Sequence, residues 1–202
     1  MKLLVYQFSN FTKSVRLLLG LVLGLSQFFH AFSQTRELDS LNKMLNTTSV
    51  RTEKVDLLYQ LAYQYIFSDL SEALKNARLS QQLALEIGDS LRIVKASLVI
   101  SSAFRRLEQI DSAIKAAEFG LEISTRNNFL SERKILLNSL AVAHSLKAEY
   151  DRALDFHFQS LILREETGTK SEVSITLNNI GFVYFKLKNY EKALDYYLRS
   201  LK

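Results

Sequence analysis

The 202-residue chain contains no cysteine, no proline, no tryptophan and only six glycines. The absence of cysteine excludes a disulfide framework, thiolate chemistry and every zinc or iron–sulfur site that needs cysteine ligands. The absence of proline argues against proline-rich linkers and recognition tails. Because 48% of the residues are apolar, the chain is too hydrophobic for an intrinsically disordered protein, and its length suffices for one domain or one repeat array with a buried core.

The charge balance does not indicate a polyanionic partner. The formal net charge is +5, but the first 33 residues contain three basic residues and no acid. The remainder is close to neutral, with 23 basic and 21 acidic residues. We therefore expect neither nucleic acid nor an anionic membrane surface as a partner.

The amino terminus has the three parts of a secretory signal. Residues 1–16 carry only positive charge, residues 17–25 read LLLGLVLGL, and Ala31 and Ser33 are small residues at the positions that a signal peptidase reads. The sequence predicts a signal peptide over 1–33 and export to the periplasm or the extracellular space. The alternative is an uncleaved segment that anchors the chain in the membrane, although its apolar stretch is shorter than the roughly 20 residues of a spanning helix.

The rest of the chain repeats with a step of 40 residues. The segments 134–162 and 174–202 are identical at nine of 29 aligned positions. Small residues recur at Ala73, Ala113, Ala153 and Ala193. We expect them where paired helices approach closely, with Ala153 and Ala193 facing Ala141 and Gly181.

The breaks between apolar stretches recur with the same step, at Gly88, Asn128 and Gly168. At these residues we expect the left-handed backbone that often ends a helix. Apolar residues between the breaks follow i, i+3, i+4, i+7 spacing, which predicts helices and no sheet. The predicted fold is an all-α array with a leading or capping helix within 34–50 and units near 51–87, 91–126, 131–166 and 171–202.

Residues 51–202 resemble the tetratricopeptide repeat (TPR) family, although the tryptophan and proline of its pattern are absent. The last unit carries the preferred residues at the family's spacing: Leu177, Ile180, Gly181, Tyr184, Ala193, Tyr197 and Ser200. The 40-residue step and the run TLNNIG at 176–181 look like the longer-helix subtype of kinesin light chains and the extracytoplasmic sensor segments of bacterial signalling proteins. The resemblance implies a right-handed α-solenoid that binds peptides or proteins on its concave face and has no catalytic activity.

The resemblance also implies that the first helix of each pair lines the concave face. The candidate partner-binding residues are Tyr59, Tyr63, Arg105, Arg106, Asn138, Asn178, Phe182 and Lys186. Asn138 and Asn178 lie one repeat apart, and each amide could pair with the backbone of an extended peptide. Arg105 and Arg106 could bind a carboxylate through paired N–H groups. The alternative is a solvated polar helix face on which asparagine orders the contact between helices.

His144 and His157 occupy positions of one unit that face each other across its two helices. We expect packed neutral imidazoles rather than a metal site, since no third ligand is well placed, and protonation of a buried imidazole should destabilise the fold. No Gly-rich phosphate loop, G-x-S-x-G or H-E-x-x-H motif occurs.

These patterns predict a non-enzymatic interaction module without cofactor or metal. The alternatives are the sensor portion of a larger signalling protein and an all-helical extracytoplasmic enzyme. The sequence stops at Lys202, inside the second helix of its fourth pair. From this we expect that the natural chain continues or that a partner covers this end, and we predict self-association through residues 174–202.

Overall fold

The computed structural model describes residues 36–202, and the signal segment predicted over 1–33 lies outside these residues. Residues 36–47 are helical, and no strand occurs anywhere between 36 and 202. Further helices follow in chain order: α1 (Arg51–Tyr65), α2 (Leu70–Glu86), α3 (Ser90–Arg106), α4 (Ile110–Arg126), α5 (Leu130–Leu146), α6 (Tyr150–Thr167), α7 (Lys170–Lys186) and α8 (Tyr190–Ser200). From α3 onward, each helix begins 20 residues after the one before it. The all-α fold that the sequence predicted is confirmed.

Several helices begin at a polar side chain that caps free backbone N–H groups. Asp69 accepts hydrogen bonds from the backbone N–H groups at positions 71 and 72 before α2, and Asp89 accepts one from Arg92 before α3. At the start of α7, Thr169 and Glu172 form a reciprocal capping box. Each of these caps fixes the residue at which its helix begins.

The turns use a left-handed residue more often than the sequence indicated. Gly88 and Asn128 have φ of 72° and 55°, which confirms the expectation at both positions. Three of the four turns that join the two helices of a unit also contain a left-handed residue, and none of these is glycine: Glu108, Ala148 and Lys188. The geometry of these turns therefore holds three residues that carry a Cβ in a left-handed backbone conformation that such residues rarely adopt.

The expectation of a left-handed backbone at Gly168 is wrong. Its φ of −97° and ψ of 176° are extended, because α6 runs on to Thr167 and the capping box at Thr169 takes over immediately. A Cβ at this position would lie 2.6 Å from the backbone oxygen of Arg164. Gly168 is thus required by close backbone approach and not by its φ.

Small residues allow the paired helices to pack closely. Ala73, Ala113 and Ala153 are fully buried, and Ala193 is nearly so. A Cβ on Gly181 of α7 would lie 3.2 Å from the backbone oxygen of Ala193 on α8, which confirms the predicted close approach of these two helices.

Buried serine hydroxyls add hydrogen bonds between the two helices of a unit. Ser80 of α2 donates to the backbone oxygen of Val55 on α1, at 2.9 Å. Two units further along the array, Ser160 of α6 donates to the backbone oxygen of Lys134 on α5, at 3.1 Å. The small residues at these contacts therefore do more than leave space, because the serine hydroxyls also form hydrogen bonds across the helix interface.

The odd-numbered helices lie on the inner side of the array. Each helix packs against the next. Within residues 51–200, two pairs of alternate helices also pack closely, α1 with α3 and α3 with α5. Arg92 of α3 strengthens the first of these contacts with a two-point ion pair to Asp56 of α1, at 2.7 and 2.8 Å. Since the even-numbered helices do not approach one another to this extent, the array curves toward the odd-numbered helices, which line its concave side.

None of the helices within residues 36–202 combines the length and the apolar content that crossing a bilayer requires.

Candidate protein-binding surface

An aromatic patch covers the odd-numbered helices at the first end of the array. We define patch 1 as Tyr59, Tyr63, Phe67 and Arg106. The rings of Tyr59 and Tyr63 have centroids 6.4 Å apart, and the same distance separates Tyr63 from Phe67. The guanidinium of Arg106 on α3 lies 5.4 Å from the ring centroid of Phe67. Patch 1 therefore joins two units through a cation on an aromatic face.

The exposure of patch 1 increases toward the turn that follows α1. Tyr59 is half-buried, while Tyr63 and Phe67 are 54% and 67% exposed. Burial raises the pKa of Tyr59, with smaller contributions from Tyr63 and Glu132. Exposed aromatic side chains beside an arginine are the composition that protein interfaces favour.

The two predicted arginines have different environments. Arg106 stacks on Phe67, whereas Arg105 is half-buried at the neighbouring position of α3. Consecutive helix residues point about 100° apart, so the two side chains leave α3 in different directions. The sequence placed both residues on the right helix, but only Arg106 is in the patch.

A second patch lies on α5 and α7. We define patch 2 as Asn138, Asn179, Phe182 and Lys186. The ammonium of Lys186 lies 5.1 Å from the ring centroid of Phe182, which is 45% exposed. The side-chain nitrogen of Asn179 donates to the side-chain oxygen of Asn138, at 3.1 Å. Patch 2 again combines an aromatic ring, a cation and polar amides across two odd-numbered helices.

The two asparagines that the repeat places 40 residues apart have different environments. Asn138 is half-buried and pairs with Asn179, while Asn178 is exposed. Asn138 therefore orders the contact between α5 and α7. This is the role that the sequence offered for asparagine as the alternative to peptide binding. Repeat spacing could not distinguish Asn178 from Asn179, because a single helical position decides which amide reaches α5.

The two histidines of the third unit are held differently. His144 stacks on Phe156 with centroids 5.4 Å apart, and its Nδ1 lies 2.6 Å from Oε2 of Glu149. His157 is 1% exposed, and its Nδ1 has no hydrogen-bond partner. Burial lowers the pKa of His157 to about 4, and the charge of Arg164 acts in the same direction. Within the described part of the chain, no group of three or more histidine or acidic side chains could hold a metal ion.

A cavity of about 430 Å³ adjoins patch 2, between α5, α6 and α7. Val142, Leu146 and Phe182 give it apolar walls, and Asn179 and Lys186 also line it. Its polar lining includes His157 and the buried hydroxyl of Ser145, which likewise has no hydrogen-bond partner. The sequence predicted Phe182 and Lys186 as binding residues and His157 only as a core residue. One indication in the sequence sets His157 apart: the same position holds Ala117 and Tyr197 in the adjacent units.

The second half of the array is similar to a known protein family. Residues 132–202 match the family model of the tetratricopeptide repeat. This segment includes nearly all of α5 and the whole of α6 to α8, and therefore the cavity and patch 2. A search of curated protein sequences finds no match.

Solved structures show the same fold over most of the chain. BtubC (BKLC) from P. vanneervenii is 18% identical, with a TM-score of 0.76 over 83% of this chain and 72% of its own. A Rap protein complexed with competence and sporulation factor is 15% identical, with a TM-score of 0.75 over 86% of this chain and 50% of its own. A signal transduction ATPase of the STAND class with a tetratricopeptide repeat sensor, from Pyrococcus horikoshii, is 18% identical, with a TM-score of 0.71 over 81% of this chain and 26% of its own.

At these identities the similarity concerns the fold. The resemblance to the TPR family is confirmed, and the helices form a TPR-like solenoid. The chain spans half the length of the Rap protein and about a quarter of the STAND protein that it matches.

Proposed function

We propose that the chain is a non-catalytic scaffold that binds a protein or peptide on the concave side formed by its odd-numbered helices. The observation that carries this proposal is the placement of patches 1 and 2, each of which combines an exposed aromatic ring with a cation and spans two odd-numbered helices. Aromatic and arginine side chains contribute a large share of the binding energy at protein interfaces. The Rap protein of the same fold, solved with its bound factor, supports a peptide or protein partner.

Peptide selection tests this function directly. The full chain is used to select peptides from a random displayed library, and the affinity of each selected peptide is measured by calorimetry. Phe67→Ala and Phe182→Ala remove the central ring of each patch, and we expect at least one of them to weaken binding tenfold or more. Phe119→Ala is the matched control, because Phe119 is 39% exposed on the even-numbered helix α4. Binding that survives both patch variants but is lost in Phe119→Ala would overturn the concave side as the binding surface.

The location outside the cytoplasm is part of the proposal and is based on the sequence of residues 1–33. Cell fractionation should recover the chain outside the cytoplasm, and amino-terminal sequencing should find cleavage before Gln34. A full-length chain in the membrane fraction would instead support the anchored alternative. A full-length chain in the cytoplasm would contradict both.

The chain as the sensor portion of a larger signalling protein is a second candidate. The observation that favours it is the fold similarity to the STAND protein, whose repeats are described as a sensor. Immunoblotting of native extracts distinguishes the two possibilities, since a sensor portion would be detected in a polypeptide much longer than 202 residues. A native product of 23 kDa would contradict it.

A second copy of the chain, bound through residues 174–202, is a further candidate partner. Helix α8 exposes Leu194 and Leu198 to 59% and 53%. A second copy that packs its own α8 on these side chains would remove them from water. Light scattering should then show dimers that Leu194→Glu converts to monomers, and a clean monomer at high concentration would contradict the prediction.

A further inference from the structure

We propose that the cavity between α5, α6 and α7 is a specificity pocket that receives a tyrosine side chain of the bound peptide. This inference rests on the proposed function and specifies one side chain of the partner. The cavity opens beside patch 2, and Phe182 and Lys186 belong to both. A volume of about 430 Å³ lies within the roughly 300–1,000 Å³ that is usual for ligand sites and accommodates a phenol ring.

Two buried polar atoms in the pocket are not used by the fold. The hydroxyl oxygen of Ser145 and Nδ1 of His157 are both buried and both lack a hydrogen-bond partner. Other hydroxyls on these helices donate to the backbone four residues earlier, as Thr167 does on α6 and Thr176 does on α7. The hydroxyl of Ser145 makes no such bond, so pairing with a ligand would break no hydrogen bond of the fold.

The repeat itself does not need either polar side chain. At the position of Ser145 the adjacent units have Arg105 and Phe185, and at the position of His157 they have Ala117 and Tyr197. Both adjacent units form the same helix pair. A buried polar group without a partner is costly, so two such groups beside one cavity favour a ligand there.

The chemistry of the lining favours a phenol over a purely apolar group. Val142, Leu146 and Phe182 supply apolar surface for a ring. A hydroxyl both donates and accepts, so it can pair with the serine hydroxyl and with an imidazole nitrogen at the same time. His157 is neutral at physiological pH because burial lowers its pKa to about 4, so it offers a carboxylate no charge of its own.

The test uses the full chain labelled with 15N-histidine and three small probes: p-cresol, toluene and butyrate. We expect p-cresol to shift the Nδ1 resonance of His157 saturably and to leave that of His144 unchanged. We expect its affinity to exceed that of toluene about tenfold, since one or two added hydrogen bonds contribute about 1.4 kcal/mol. His157→Phe assigns the resonance, and His144→Phe is the matched control because His144 does not line the cavity.

Ser145→Ala and His157→Phe should each remove most of the preference for p-cresol over toluene. Toluene binding should persist in both variants, which shows that the cavity still forms. The proposal is overturned if p-cresol produces no saturable shift, if toluene binds as tightly as p-cresol, or if butyrate binds more tightly than either. It is also overturned if both variants retain the full preference.

The library-selected peptides separate the failure of this inference from the failure of the proposed function. Replacing the tyrosine of a selected peptide by phenylalanine should weaken its binding to the wild-type chain about tenfold and its binding to Ser145→Ala far less. Peptides that bind the concave side without any dependence on tyrosine would overturn the pocket assignment and leave the function standing. A chain that selects no peptide but binds p-cresol as described would overturn the function and leave the pocket's phenol preference intact.

Discussion

Acidification should destabilise the protein through one buried residue, His157. Burial lowers the pKa of this imidazole from 6.5 to about 4, and the positive charge of Arg164 contributes in the same direction. In the unfolded chain the imidazole regains its ordinary pKa, so between pH 6.5 and 4 the unfolded state binds more protons than the folded state. The stabilisation is therefore complete above about pH 6.5 and is lost as the pH falls toward 4.

The size of the effect follows from the two pKa values. At pH 5 a shift from 6.5 to about 4 corresponds to a loss of about 2 kcal/mol in the free energy of unfolding relative to neutral pH. For a chain of this length, 1 kcal/mol changes Tm by about 2–4 °C, so we expect Tm to fall by about 4–8 °C between pH 7 and pH 5. Differential scanning calorimetry at both pH values measures this directly.

Variants isolate the contribution of His157 from that of the carboxylates. His157→Phe retains an aromatic side chain that cannot be protonated, and it should lose most of the decrease in Tm between pH 7 and pH 5. His144→Phe should keep it, because this variant leaves His157 in place. Carboxylates with a lowered pKa, such as that of Glu172, contribute mainly at lower pH. If the Tm of His157→Phe falls between pH 7 and pH 5 by as much as that of the wild type, His157 is not the source of the pH dependence.

Substitutions at three further positions test the packing and the turns by urea unfolding. Ala193→Leu should lower the free energy of unfolding by about 1–3 kcal/mol, because the residue is buried against Gly181; an unchanged midpoint would show that α7 and α8 can separate at no cost. Glu108→Gly should raise it by about 0.5–1 kcal/mol, because φ is 59°, whereas Glu108→Ala should change it by less than about 0.5 kcal/mol. Gly168→Ala should lower it by about 1–3 kcal/mol through the contact with the backbone oxygen of Arg164, and wild-type stability would contradict this explanation.

The fold class could be predicted because the repeat makes the same local pattern appear several times. A single Ala193 carries little information, but four alanines with one step identify a buried contact between helices, and the structure shows all four buried. The turns were less predictable. Glu108, Ala148 and Lys188 share no residue type, so their left-handed backbone follows from the geometry of joining two helices and not from local preference.

The candidate surface was predictable to the level of the helix but not of the side chain. Tyr63 and Phe182 are exposed on odd-numbered helices, as the resemblance implied. Asn138 reaches Asn179 and not Asn178, since the crossing of α5 and α7 decides which amide lies opposite. Helical spacing gives the face of a helix to within one residue, and a hydrogen bond depends on that last residue.

The sequence by itself determined that the chain forms paired helices with small residues at their contacts, because helix periodicity and volume complementarity are local and recur in each unit. The signal segment predicted over 1–33 remains a prediction from sequence alone. Only the tertiary structure brought Ser145, His157 and Phe182 together from three helices around one cavity. These three side chains line one cavity only because of the distance between α7 and the pair α5 and α6. That distance results from the packing of the whole array and cannot be predicted from any single segment of the chain.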